Sequence, residues 1–321
     1  MADQHGTQHA GDMTSTTHIR TRNLIGIAAL ALGVFTFSIQ DAILKGLSGD
    51  HAVTLAIVIR SLVGLPILLV MVHFECGLKR LVSGKWKILI LRGLILLTSY
   101  TTYYMAFPAL PLAEAIALFF TSPIFVTILA SVFLQEKVTP RAWGAVIAGF
   151  IGVLIILQPG SGLFEPAALL SLFSAASYAC SMVLARKYGA DEPSTVMAFY
   201  VNAVYMIAAA LIALGFSLAG IEVLGHPSLD FLVRPWAMPN ARDLMLMGLC
   251  GVIAAVAMSL LTHAYRSANA NLVTVFEYTG MIWVPLWGFL FFAEVPKLTT
   301  LIGTAIIIAA GIFAVRSAAR T

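Results

Sequence analysis

Six ionisable side chains stand inside long apolar runs: Asp41, Arg60, Arg92, Glu114, His263 and Glu277. A charge at the centre of a bilayer costs at least about 2.5–3.5 kcal/mol on insertion scales, so each needs a partner, a wet cavity or a solute. Their chemistry is that of ion pairing, proton binding and recognition of a polar solute. Asp41, Arg60 and Glu114 lie at similar depth from one membrane surface and are expected to cluster, either as structural pairs or as a gate or solute contact. Asp41 and Lys45, four residues apart on one helical face, are also expected to pair with each other. Arg92, His263 and Glu277 form a second set within roughly two helical turns of the opposite surface. Arg92 either faces inward or snorkels to headgroups. Glu277 and His263 are the candidate proton carriers, with a packing role the alternative for the histidine.

A second class of residue could hold a solute. Tyr100, Tyr104, Phe120, Tyr178 and Tyr278 sit well inside their runs, accompanied by Ser122 and Ser181. Polar-tipped rings suit a cavity for a planar organic molecule, which can stack on the faces and hydrogen-bond at its edges. Enzymatic motifs are absent: there is no HExxH, no GxSxG elbow and no phosphate loop. Cys76, Cys180 and Cys250 are isolated, so neither a disulfide framework nor a metal site is implied, and nothing calls for a cofactor.

Composition defines what must position these groups. The chain has 321 residues, 60% hydrophobic and 11% charged, against about 25% charged in soluble domains. A bilayer-crossing helix needs about 20 apolar residues. Ten such runs are present, at 24–46, 53–73, 87–107, 111–134, 141–158, 166–186, 194–219, 243–265, 271–292 and 298–316. They are separated by turn chemistry such as Ser48-Gly49-Asp50, Thr139-Pro140 and Pro159-Gly160-Ser161-Gly162. Pro123 and Pro285 are expected to kink their spans. Residues 1–23 are polar and read as a disordered tail.

The formal net charge is +4, and its distribution points to topology rather than to nucleic acid. Thirteen basic residues fall on the side of the termini, among them Lys79, Arg80, Lys85, Lys87, Lys137 and Arg141. Four, Lys45, Arg234, Arg242 and Lys297, fall opposite. Both termini are therefore expected in the cytoplasm. The external 220–242 segment is too short for a domain.

The chain is also written twice. Ala113 through Glu136 aligns with Asn271 through Glu294 at a constant offset of 158. Earlier in each half the offset is 141, which brings Phe37 to Tyr178, Lys45 to Arg186, Asp50 to Asp191 and Thr54 to Thr195. Ten spans divide into two fives, and five is odd, so the second copy enters from the opposite side. The expected fold is all-α and integral to the membrane: ten transmembrane helices as two inverted five-helix repeats, 24–158 and 164–316, with a cytoplasmic tail at 317–321. A solute site is expected between the halves, near the midplane. Spans five and ten are rich in small residues (Gly144, Gly149, Gly152; Gly303, Gly311) and read as scaffold or as a homodimer face.

Pro111-Leu112-Ala113-Glu114-Ala115, Ser122-Pro123, Glu136 with Pro140 and Gly144, and Phe276-Glu277-Tyr278 with Glu294-Val295-Pro296 and Gly303 resemble the EamA-domain branch of the drug/metabolite transporter superfamily. Gln40-Asp41-Ala42 with Lys45 and Arg60 is similar to a subgroup containing importers of riboflavin and of S-adenosylmethionine. The resemblance implies a multi-pass carrier in a bacterial inner membrane, not an enzyme. It would move a small organic metabolite such as a vitamin, S-adenosylmethionine, an amino acid or a drug-like solute, and proton coupling is a further expectation. A lipid flippase of the same superfamily is the alternative.

Overall fold

The computed structural model describes residues 5–135, 140–158, 165–188, 191–267 and 279–318, and every regular element in them is helical. In chain order these are α1 His5–Leu47, α2 Val53–Glu75, α3 Trp86–Met105, α4 Leu112–Phe119, α5 Ser122–Phe133, α6 Pro140–Leu157, α7 Ala168–Tyr188, α8 Ser194–Leu218, α9 Pro227–Val233, α10 Ala241–Ser267, α11 Gly280–Phe292 and α12 Leu298–Ala318. Six segments, led by Ala28–Leu47 and Val53–Glu75, are long and apolar enough to cross a bilayer by length and composition. Val146–Leu157, Gly280–Phe292 and Leu298–Phe313 are shorter apolar helices.

Two departures from the expected elements have local causes. No proline precedes Pro66, so the helix of the first span propagates backward, and α1 begins at His5 where a disordered tail was expected. The fourth span is not one kinked helix but two, α4 and α5, broken at Phe120-Thr121. Pro123 falls in the first turn of α5, where its missing N–H costs nothing. The Thr121 hydroxyl caps the break by donating to the Leu118 carbonyl at 2.6 Å.

The duplication is visible in the backbone. At offset 158, the first residue of α5, Ser122, falls on Gly280, the first of α11. Both helices end in a left-handed residue, Gln135 at φ 57° and Ala293 at φ 53°, again 158 apart. A non-glycine residue there is uncommon, so finding two in register is a strong mark of common descent. At Ala293 the turn is closed by Glu294 N–H donating to the Gly288 carbonyl at 3.0 Å.

Helix pairing obeys the same symmetry. The contact of α1 with α10 is matched by that of α3 with α7, that of α2 with α10 by that of α3 with α8, and that of α5 with α7 by that of α1 with α11. The pairs α2–α8 and α6–α12 are their own mates. These are the pairs an in-plane two-fold axis generates when helix n maps onto helix n + 5, so the molecule is ten spans in two inverted repeats. One face carries Lys45, Glu165, His226, Arg234 and Glu294, tied by His226–Glu165 at 3.1 Å and by Arg234 donating to the Ser48 carbonyl at 3.0 Å. The other carries Ser83, Lys85 and Asp191, with Lys85 on Asp191 at 3.1 Å. The 219–240 segment lies on the first face, where α9 buries Phe231 and Val233 against the helix ends.

Candidate functional site

The centre of the molecule is a polar aromatic cluster shared by the two repeats. From the first repeat come Gln40 and Asp41 on α1, Arg60 two turns into α2, and Tyr100, Tyr103 and Tyr104 on α3. The second supplies Tyr205 on α8 and Cys250 on α10. The three tyrosines of α3 fall at spacings of three and four, which turns two neighbouring stripes of one helix toward α1, α2 and α8. Arg60 is 5% exposed and Tyr205 1%, so the site is closed to solvent in this conformation.

The contacts are specific. The Arg60 guanidinium carbon lies 5.4 Å from the Tyr100 ring centre and 5.9 Å from that of Tyr205, a cation set against a pair of neighbouring rings. Tyr100 and Tyr205 meet edge to face at 5.5 Å. Gln40 Nε2 donates to the Tyr104 hydroxyl at 2.7 Å. The Tyr103 hydroxyl donates to Asp41 Oδ2 at 3.1 Å, and the Asp41 carboxylate is within electrostatic reach of Arg60. Position is enforced by glycine: Gly251 of α10 presses against the Arg60 carbonyl and Val63, so α2 and α10 cross closely at the residue that carries the charge.

Several polar atoms here have no hydrogen-bond partner among the described residues: Arg60 Nε and Nη1, Gln40 Oε1 and the Tyr205 hydroxyl. Buried polar groups are normally satisfied, and each exception calls for an explanation. Arg92 of α3 shows the same pattern, with its Nε buried and unpartnered and its charge within reach of Tyr178 and Tyr205. It faces inward and is not drawn to the headgroups.

The expected residues separate accordingly. Asp41, Arg60, Tyr100 and Tyr104 come together. Tyr178 joins them through Phe119, whose ring lies 5.5 Å from Tyr178 and 4.8 Å from Tyr103. Glu114 is not among the groups around Asp41 and Arg60: the charges within its reach are Lys297 and Glu165 at the first face. Asp41 does not pair with Lys45 either. Lys45 binds Glu294 at 2.6 Å and donates to the Leu110 carbonyl at 2.6 Å, while Glu294 Oε2 accepts from the Leu112 N–H at 2.8 Å, stapling α1, α4 and α11.

Phe120 meets Gly280 at the break of the fourth span, and Ser122 opens α5 beside it. Ser181 is fully buried with its hydroxyl unpartnered. Glu277 and Tyr278 lie outside the described residues, as does the side chain of His263. Tyr205, Tyr103 and Gln40 were not singled out as site residues. Tyr205 carried the relevant signal, a polar-tipped ring in the middle of an otherwise apolar span. Among the described residues no group of three His, Cys, Asp or Glu could hold a metal.

A buried cluster of this kind at the junction of inverted repeats is one a membrane carrier can use, and comparison with known proteins gives the family. The EamA-like transporter family profile matches residues 24–158 and 165–316. The chain belongs to that family and is a multi-pass membrane transporter of the drug/metabolite superfamily. It is 34% identical over 214 residues to a riboflavin transporter of Rhizobium johnstonii, a match covering 66% of this chain and 64% of the relative. It is 27% identical over 286 residues to a pseudopaline exporter of Pseudomonas aeruginosa, covering 89% and 94%. An S-adenosylmethionine uptake transporter of Rickettsia prowazekii is 25% identical over 295 residues, covering 92% and 93%. A solved crystal structure superposes with a TM-score of 0.59 at 17% identity, covering 94% of this chain and 98% of the other, and supports the fold alone.

Proposed function

We propose that this protein is a secondary carrier of a small organic metabolite in a bacterial inner membrane, working by alternating access. The observation that carries the reading is the Arg60–tyrosine cluster. It draws on α1, α2 and α3 from one repeat and α8 and α10 from the other, and polar atoms of both have no partner among the described residues. A site made by two halves changes its exposure when one half rocks against the other. Tyrosine rings and hydroxyls suit a solute that combines a ring with polar edges, and the relatives named for riboflavin, S-adenosylmethionine and pseudopaline transport all concern polar organic solutes. The basic bias of the loops supports a cytoplasmic Lys85–Asp191 face and cytoplasmic termini. Coupling to protons, with Glu277 as carrier and Asp41 a second candidate, completes the reading.

The test is reconstitution. Metabolites that raise the melting temperature of the purified protein, as ligands of the folded state must, are offered to proteoliposomes. Saturable flux of one of them is the expected result. Scrambling of labelled lipid without solute flux would overturn the proposal in favour of a flippase.

A further inference from the structure

We infer that Arg60 is the receptor for an oxyanion, a carboxylate or a phosphate, on the ring-bearing solute this carrier moves. The inference rests on the carrier reading and names its substrate class.

The argument starts from what the guanidinium lacks. The Tyr100 and Tyr205 rings, 5.4 and 5.9 Å from the guanidinium carbon, supply π contact and no carbonyl or carboxylate acceptor. Of its N–H donors, Nε and Nη1 are buried without a partner among the described residues. A cation taken out of water with its donors unmet is among the most costly groups a fold can hold. A purely structural arginine would have its edges satisfied by carbonyls or a carboxylate. Asp41, a carboxylate within electrostatic reach, already receives the Tyr103 hydroxyl at 3.1 Å, and no ion pair joins it to Arg60 among the described residues.

Charge balance points the same way. Among the described residues the cluster and its border hold two cations, Arg60 and Arg92, both within electrostatic reach of Tyr205, and one carboxylate, Asp41. An anionic solute would neutralise that excess. A planar fork of donors matches the geometry of an oxyanion better than any neutral group does. The remaining unpartnered atoms, the Tyr205 hydroxyl and Gln40 Oε1, would read a donor beside the anion. Gly251 brings α10 of the second repeat against the Arg60 carbonyl, so Arg60 sits where the two repeats cross.

The experiment uses the purified full-length protein and four probes of similar shape: phenylacetate, phenyl phosphate, neutral phenylacetamide and cationic phenethylamine. Melting temperature and tryptophan fluorescence are followed as each is titrated. Wild type should bind one or both anions roughly tenfold or more tighter than the amide or the amine, and the stronger anion identifies the headgroup. Arg60→Gln should abolish that preference while leaving the ligand-free protein as stable as wild type or more so, because an unpaired buried charge has gone. Arg60→Lys, which keeps the charge and loses the fork, should bind the preferred anion roughly tenfold more weakly. No anion preference in wild type would overturn the inference, and that arm needs no variant to fold. Equal flux and equal KM of the transported solute in wild type and Arg60→Gln would overturn it while the carrier reading stands. Absence of saturable flux of any solute in wild type would instead sink the carrier reading.

Discussion

The interface of α6 with α12 and the cluster around Arg60 are both contacts between the two repeats, and they are built on opposite rules. Between α6 and α12 the backbones touch. A Cβ on Gly152 would lie 2.8 Å from the Gly303 carbonyl oxygen, and one on Gly303 would lie 2.6 Å from that of Gly152. Val146, Val153, Ile156 and Ile307 fill what remains, all buried and apolar. Around Arg60 the helices also approach through glycine, at Gly64 and Gly251, but the space beside them is lined by hydroxyls, an amide and a guanidinium whose hydrogen bonds are incomplete. Lipid tails supply no hydrophobic drive between helices, so close packing of small residues holds the scaffold. Around Arg60 several unsatisfied polar atoms converge between the repeats, where a solute can meet them. Packing quality therefore separates the part of the repeat junction that stays together from the part that works.

That contrast can be broken at several points. The largest effect is expected at the first-face staple. Glu294→Ala strands Lys45, whose side chain is only 10% exposed, and frees the Leu112 N–H. Loss of one partner of a buried pair costs about 3 kcal/mol or more. Thermal melting should show the deficit, and the double variant Lys45→Met with Glu294→Gln should recover most of it. A double variant as unstable as Glu294→Ala would show that the staple acts through packing, not charge.

Next come the scaffold glycines. Gly303→Ala places a methyl against a carbonyl and Ile156, and overpacking of that kind costs about 1–3 kcal/mol. The melting temperature and the monodisperse yield should both fall, with the affinity of the surviving protein for solute unchanged. Altered affinity at normal stability would place this interface in the transport pathway.

Within the cluster the order reverses. Tyr100→Ala, Tyr104→Ala or Tyr205→Ala should weaken solute affinity roughly threefold to tenfold, from ring and hydroxyl contacts worth about 0.5–1.5 kcal/mol each. Ile147→Ala, on the exposed side of α6, should leave affinity alone. Normal affinity with poor expression in the tyrosine variants would make the rings core residues only. The coupling proposal is tested at Glu277. Glu277→Gln should fold and lose the pH dependence of flux, and a normal pH profile in that variant would remove its proton role.

How much of this could be read without coordinates depends on what kind of information each feature needs. The ten spans and the inverted repeat follow from hydropathy and from matched Glu, Asp and Thr positions, which carry along a sequence. Arg60, Asp41, Tyr100 and Tyr104 were legible because their burial is expensive anywhere in a membrane. Partner choice was not legible. Asp41 and Lys45 satisfy the four-residue rule of a helix surface, yet Lys45 takes Glu294 on α11 and Asp41 takes Tyr103 on α3. Depth along a helix placed Glu114 beside Arg60, but azimuth decides contact, and the break at Phe120-Thr121 leaves α4 as a short helix with its own rotation. Tyr205 is not distinguished by sequence from Tyr200 on the same helix, because a tyrosine in an apolar span looks the same whether it packs or binds.

Cys250 offers the most direct test that the closed cluster is the solute site. Its thiol is fully buried within electrostatic reach of Arg60 and Asp41. The other two cysteines, Cys76 and Cys180, are half-buried elsewhere and can be replaced by alanine. In that background, alkylation of Cys250 by a membrane-impermeant maleimide is followed in proteoliposomes with and without the transported solute. If the halves open the cluster in each cycle, Cys250 reacts slowly, and saturating solute protects it with a half-effect concentration near the KM for flux. A Cys250 that stays inert throughout active transport, or reacts at a rate the solute does not change, would contradict the account.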